Sequence, residues 1–428
     1  MSLNREEELA LVESYFDQLW PICRSLTGQG VRDSLAILEK EMPLKHTAVP
    51  SGSSVFDWTV PKEWTIRDAY ILSPKGEKIA RFDQNNLHVL NYSSPVNKEI
   101  SLSELKEHIY TLPSQPDLIP YVTSYYKEKW GFCMSHNDFL ALEEGSYKVV
   151  IDSELFDGVL NYAEATLPGS SEKEILYSTY ICHPSMANNE LSGPLAALML
   201  YRRLKQLPNR KYTYRFLFAP ETIGVIAYLA KEGAALKEKL EAGYVLTCCG
   251  DRGIPTYKSS KRNAALVDEM ALHVLEHKAD DYKSIPFSVG GSDERQYCSP
   301  GFNLPVGSLM RTPYQQFKEY HTSADNKDFI SFEHLLQTVD LYEAIAHGLE
   351  LNDQYFNAVQ YCEPQLGKRG LYPDSVTAED PREEIHRLLH FLSFADGQTS
   401  LLEIAKLRGD CILDYKSAVN KCKAAGLV

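Results

Sequence analysis

Basic residues are in the minority: 44 Lys and Arg stand against 58 Asp and Glu, a net charge of −14. A general nucleic-acid binder needs a basic face to offset phosphate charge, so this balance argues against that class. No apolar run approaches the roughly 20 residues that cross a bilayer. The opening segment Met1–Glu8 has no basic head followed by an apolar core. Both features lead to the expectation of a cytoplasmic protein without a membrane role. Nine cysteines include no CxxC pair and no framework spacing, which excludes a local zinc ribbon and reads as reduced thiols. The vicinal pair Cys248-Cys249 ends an apolar run and reads as two core thiols rather than a redox couple.

What is present is an ordinary globular composition, 44% hydrophobic and 24% charged. A length of 428 residues suggests two or three domains. The texture changes along the chain. Residues 5–20 and 31–41 carry apolar positions at helical spacing. From about 45 to 160 come short β-like runs (Ser54–Trp58, Asp68–Leu72, Lys78–Phe82, Leu87–Tyr92, Tyr147–Asp152, Gly158–Thr166) punctuated by Pro and Gly. From about 172, strands and helices alternate. Ile175–Ile181, Tyr212–Ala219, Gly243–Cys248 and Leu304–Leu309 read as strands. Ser192–Leu207, Ile223–Glu232, Asn263–His277 and Phe332–Leu349 read as helices. That alternation implies a largely parallel sheet with helices on both faces. Three short helices near the carboxyl end (Glu383–Leu392, one opening at Thr399-Ser400, and Asp414–Ala425), closed by Gly426-Leu427-Val428, form the skeleton of a winged helix. Residues 381–428 carry seven Lys or Arg and six Asp or Glu, a balance suited to a protein partner or homo-oligomer contact rather than DNA.

Three segments carry the chemistry. Cys182-His183-Pro184 leads into Asn189-Glu190-Leu191-Ser192-Gly193; Pro220-Glu221-Thr222-Ile223-Gly224 follows an apolar strand; and Tyr320-His321-Thr322 precedes Asp325. Ligands collect at the carboxyl ends of strands in such sheets. His183, Glu221 and Asp251 each follow a different one. A catalytic zinc ion takes imidazole and carboxylate ligands and keeps one position for water. His183, His321 and Asp251 supply such ligands. The ion lowers the pKa of a water toward about 7, and Glu221 is placed to take its proton. Asp325, four residues beyond His321, is a candidate for orienting a histidine from behind.

These residues also resemble the leucyl-aminopeptidase-like zinc exopeptidases. Asn188–Gly193 resembles their NDNASG element, Glu221–Gly224 their EExG element, and Tyr320–Thr322 with Asp325 their YHTxxD; Ser292-Asp293-Glu294 stands where those enzymes have Ser-Asp-His. More closely, the whole chain is similar to a family of bacterial aminopeptidase-like proteins in which that fold carries an inserted β domain and a terminal winged helix. The resemblance implies an α/β fold with a mixed sheet flanked by helices, a catalytic domain over 1–44 and 160–362, a β-rich insert over 45–159 and a winged helix over 363–428. It implies a zinc-dependent, aminopeptidase-like amide hydrolase acting on a small peptide or other amide. Glu221 is then the base, and His183 and His321 are metal ligands. The bridging aspartate is here Asn189 and the second glutamate is Thr222, so about two carboxylate charges are missing, and the expectation is one zinc per chain or a site that borrows Glu190 or Glu294. The remaining carboxylate falls by spacing near Cys248 or Cys249, with Asp251 as the nearest acid. Glu190 and Glu294 are candidates to hold a substrate amine, Arg311 a carboxylate or oxyanion, and Tyr320 joins the substrate side. The rival is a catalytically degenerate ligand-binding protein that signals or assembles through its winged helix.

Overall fold

A computed structural model describes residues 4–372 and 381–428. Residues 1–3 and 373–380, which fall within the ranges expected for the catalytic and winged-helix domains, lie outside the described residues. The chain divides into two units, Met1–Asp268 with Tyr282–Asp340, and Glu269–Asp281 with Leu341–Val428.

The first unit is organised by an eight-stranded sheet. Its order is Lys45–Pro50, Val159–Leu167, Thr213–Ala219, Glu174–Tyr180, Leu240–Val245, Val306–Met310, Thr256–Lys258, Lys283–Ile285. The middle four strands are parallel, and antiparallel strands flank them, so the sheet is mixed as the motifs imply. Every residue of Glu174–Tyr180 is buried, as expected for a strand covered on both faces. Alternation along the strands sorts the two sides. Tyr177 stacks with Phe216 at 5.2 Å and Tyr244 at 5.9 Å between ring centroids, and Phe216 meets Tyr201 of the helix Ser192–Lys205 edge-on. The neighbouring Leu176 and Leu217 point the other way, into a core with Ile226 and Tyr228 of the helix Ile223–Lys239.

Two glycines permit this packing. A Cβ on Gly193, in the first turn of the helix Ser192–Lys205, would collide with Thr179 Oγ1 and the Leu246 carbonyl. The helix starting at Ile223 runs on to Lys239 instead of ending at Glu232, and Gly233 within it makes room for the ring of Phe302: the glycine serves packing there, not termination.

The inserted segment builds a separate four-stranded antiparallel sheet in which Glu63–Leu72 and Ser146–Phe156 are the long central strands. The insert is shorter than the range 45–159, because Lys45–Pro50 pairs with Val159–Glu164 in the large sheet. Leu87–Tyr92 is not a strand. The Asn85 side chain accepts from Leu87 N–H and turns Asn86–His88 into a short 3-10 helix, and Asn91 is buried against Ser25 and Arg24. Among the described residues no helix is long and apolar enough to cross a membrane.

In the second unit, the helices Pro381–Phe394, Leu401–Arg408 and Lys416–Ala424 pack on one another. Ser400 and Glu403 form a reciprocal capping box, the basis of the expected helix start. Asn357 N–H donates to Ala395 O and Ala358 N–H to Leu427 O, tying the preceding extended segment to the helical core.

Candidate active site

The carboxyl ends of the parallel strands converge on one cleft. His183 lies just past Glu174–Tyr180, and its Nδ1 is 2.8 Å from Glu190 Oε2. Glu190 also accepts from Cys182 N–H at 2.6 Å and lies 3.8 Å from Arg24, whose guanidinium is fully buried. Arg24 in turn donates to the carbonyls of His183 and Leu19. A carboxylate on Nδ1 fixes the imidazole tautomer and leaves Nε2 free as a ligand. That Nε2 faces Glu221 Oε2 at 3.7 Å. Burial pulls the His183 pKa down, but Glu190 and Glu221 outweigh it and the net shift is upward.

His321 Nε2 is 3.0 Å from Asn189 Oδ1, and the His183 and His321 rings are 5.6 Å apart. The Asn189 amide is oriented by its other end: Nδ2 donates to Tyr180 OH at 2.8 Å, which leaves Oδ1 toward His321. Burial, with repulsion from His183, pushes His321 down to about 3, so it is neutral as metal binding requires. Glu221 is driven up by burial, with His183 and Arg295 opposing. Its backbone N–H points at Cys182 Sγ, and the Cys182 thiol is itself pushed well up by burial, which disfavours the thiolate.

Backbone strain gathers here. Ser185, Thr222, Cys248 and His321 all have positive φ, at 49°, 64°, 50° and 54°. At Thr222 the chain makes a tight γ-turn, Ile223 N–H donating to Glu221 O at 2.8 Å. Thr222 N–H is held by Asp293 Oδ1 at 2.7 Å. The turn projects Glu221 from the strand end into the cleft, and such outliers concentrate at functional sites.

Several candidates are directed elsewhere. Asp251 accepts from Gly253 N–H, Thr312 N–H, Thr312 Oγ1 and Asn188 Nδ2, so both oxygens are occupied by loop anchoring rather than by the histidine pair. Asp325 does not back a histidine. It accepts the N–H groups of Asn188 and Asn189 at 2.6 and 2.9 Å, capping the turn that carries Asn189. Glu190 is behind His183, out of place for a substrate amine. Glu294 is fully buried and holds Lys258 Nζ at 2.6 Å and Tyr314 OH at 2.9 Å. Arg311 is pinned to the carbonyls of Gly253 and His334. Tyr320 stacks on His321 with ring centroids 3.9 Å apart.

The insert supplies residues that its sequence did not advertise. Tyr121 lies 5.1 Å from both the His183 and His321 rings, and its N–H donates to His321 O. Ile119 and Ser323 exchange bonds beside it, so a short antiparallel pairing clamps the His321 loop. Tyr125, Tyr126 and Trp58 join Leu26, Cys182, His183, Glu221, Thr222, Ile223 and Arg295 around a cleft of about 280 Å³. Arg24 had one available signal, a lone cation between two helices in a stretch of small and apolar residues.

A mixed sheet flanked by helices, with two histidines and a glutamate at its strand ends, defines an aminopeptidase-like fold. The family model described as a domain of unknown function (DUF4910) matches residues 13–352, and a winged helix-turn-helix model matches 353–428. The chain belongs to the DUF4910 family. A Clostridium acetobutylicum relative, provisionally named a polysaccharide biosynthesis protein with an aminopeptidase-like domain, is 47% identical over 95% of this chain and 93% of its own. A crystal structure of a provisionally named peptidase from the same organism superposes with a TM-score of 0.92, at 44% identity over 98% of this chain and 96% of that one. The zinc aminopeptidase of Bacillus subtilis shares the fold, with a TM-score of 0.60 at 15% identity over 80% of this chain and 94% of that one.

Proposed function

We propose that the chain is a zinc-dependent hydrolase of small amides, with one ion held by His183 Nε2, Asn189 Oδ1 and His321 Nε2. The observation that carries this reading is the Glu190–His183 pair. A buried carboxylate on Nδ1 presents Nε2 to the space that Glu221 also faces. Two imidazoles and an amide oxygen suit a single zinc that keeps an open position. The bound ion would polarise the scissile carbonyl and make a water acidic near neutral pH.

The chain's own groups do the rest. Glu221, part-buried and of raised proton affinity, takes the proton from the attacking water and delivers it to the departing nitrogen. Hydroxyl adds to the acyl carbon, the C–N bond breaks, and acid and amine leave. Tyr121 and Tyr320 flank the histidines and hold their rings in place. The substrate class takes in peptides and, since the ligand set departs from that of the resembled exopeptidases, non-peptide amides such as an acylated amino sugar.

The experiment is turnover of a small amide panel by the zinc-supplied chain and by Glu221→Gln. The reading predicts a fall in kcat of at least about 100-fold in the variant, with zinc content unchanged. Equal rates in the two proteins would contradict Glu221 as base.

A further inference from the structure

Part-buried arginines in the first unit are generally paired. Arg203 meets Glu8 and Asp340, Arg215 meets Glu164 and Glu174, and Arg24 meets Glu190. Arg311 has no carboxylate but donates to two carbonyls. Arg295 differs from all of these. It lines the cleft beside Glu221 and Thr222. Its Nη2 donates to Thr222 Oγ1 at 3.0 Å, and its buried Nε has no acceptor. Among the described residues it makes no ion pair. Glu221 and Asp293 feel its charge without bonding to it, so the guanidinium has donors to spare, and its planar fork matches a carboxylate.

The other charges of the site point the same way. An exopeptidase that grips a substrate ammonium needs a free carboxylate. Glu190 is engaged with His183 and Cys182 N–H, and Glu294 already holds the Lys258 ammonium. Glu221 is the one carboxylate left among the lining residues, and it serves as base. An ammonium beside Arg295 would be repelled. The rest of the lining is apolar or aromatic, namely Leu26, Ile223, Trp58, Tyr125 and Tyr126.

We propose that Arg295 is the receptor for a substrate carboxylate, so that the preferred substrate is an amide with an apolar or aromatic acyl side and a carboxylate on its amine side, as in an N-acyl amino acid. This rests on the hydrolytic reading above and reverses the polarity of an aminopeptidase. The residue class expected for this task was an arginine; the structure moves it from Arg311 to Arg295.

The test is calorimetric binding to the zinc-supplied, full-length Glu221→Gln protein, which holds substrates without consuming them. The probes are N-benzoylglycine, its neutral analogue N-benzoylglycinamide, and phenylalaninamide, which offers an ammonium instead. The acid should bind at least tenfold more tightly than either amide. Adding Arg295→Gln should bring the acid-to-amide ratio to about one, while Arg295→Lys should retain part of it; melting curves check that both variants fold. Equal affinity for acid and amide, tighter binding of phenylalaninamide, or a ratio that survives Arg295→Gln would overturn the proposal. An oxyanion role for Arg295 would leave no such ratio. Turnover by the chain with Glu221 intact is scored separately: selective binding without hydrolysis sinks the catalytic reading alone, and hydrolysis without the ratio sinks this proposal alone.

Discussion

Glu190 shows how a single carboxylate is assigned by its partners. Read from sequence, an acid beside a ligand candidate suits a substrate amine. In the fold its oxygens meet His183 Nδ1 and Cys182 N–H, with Arg24 behind. A group in that position raises ligand basicity and fixes the ring. We therefore expect Glu190→Gln to weaken zinc affinity about 10- to 100-fold in a chelator competition, and to lower the melting temperature as well, because buried Arg24 loses its counter-charge. Unchanged affinity would place the metal away from His183. His183, Glu221 and His321, which the fold brings close together, could be picked out because each follows an apolar strand or sits in a recognisable motif. Asp251, Asp325, Glu294 and Arg311 were misplaced for one physical reason: spacing locates a residue near a strand end but does not say which hydrogen-bond donors claim it. Tyr121 and Arg24 were missed because they act on histidines more than 150 residues away in sequence, and the lone cation at Arg24 was a weak signal.

Among the elements, the strand and helix sequence from 172 to 350 was readable from periodicity to within a few residues, since buried parallel strands are near-continuous apolar runs. The exceptions were set by tertiary contacts. Gly233 did not end its helix, and Leu87–Tyr92 was diverted by the Asn85 turn. Gly193 makes the helix–sheet contact measurable. Gly193→Ala should cost about 2 kcal/mol in denaturant unfolding, because its methyl meets Thr179 and a carbonyl. A cost below about 0.5 kcal/mol would mean that the helix shifts freely on the sheet.

Within the second unit, His273 of the helix Leu266–Lys278 is a pH-sensitive element. His273 is buried and its Nε2 accepts from Ile412 N–H at 2.9 Å. Burial, with His277 and Lys406 nearby, lowers its pKa to about 4. The unfolded chain binds this proton near pH 6.5, so stability from this group is complete above that value. It is lost as pH falls from about 6.5 to about 4. Melting followed against pH should show this loss in the wild type and a weaker one in His273→Gln. Equal slopes would remove His273 from the account.

At the scale of the whole molecule, a fold shared with zinc aminopeptidases carries an insert that lines the candidate cleft and a winged helix over 353–428. The insert was legible as β-rich texture, yet its role was not, since Tyr121 and the clamp on His321 depend on how it folds back. Asn189 and Thr222, standing where the resemblance has acidic residues, were readable directly, and the proposal of one metal rests on them.

The most direct measurement is metal content by elemental analysis of the full chain, with His183→Ala and His321→Ala purified identically and all three supplied with zinc. The account predicts about one zinc per wild-type chain and loss of it in both folded variants. Absence of zinc from the wild type, or its retention in either variant, would contradict a shared His183–His321 site.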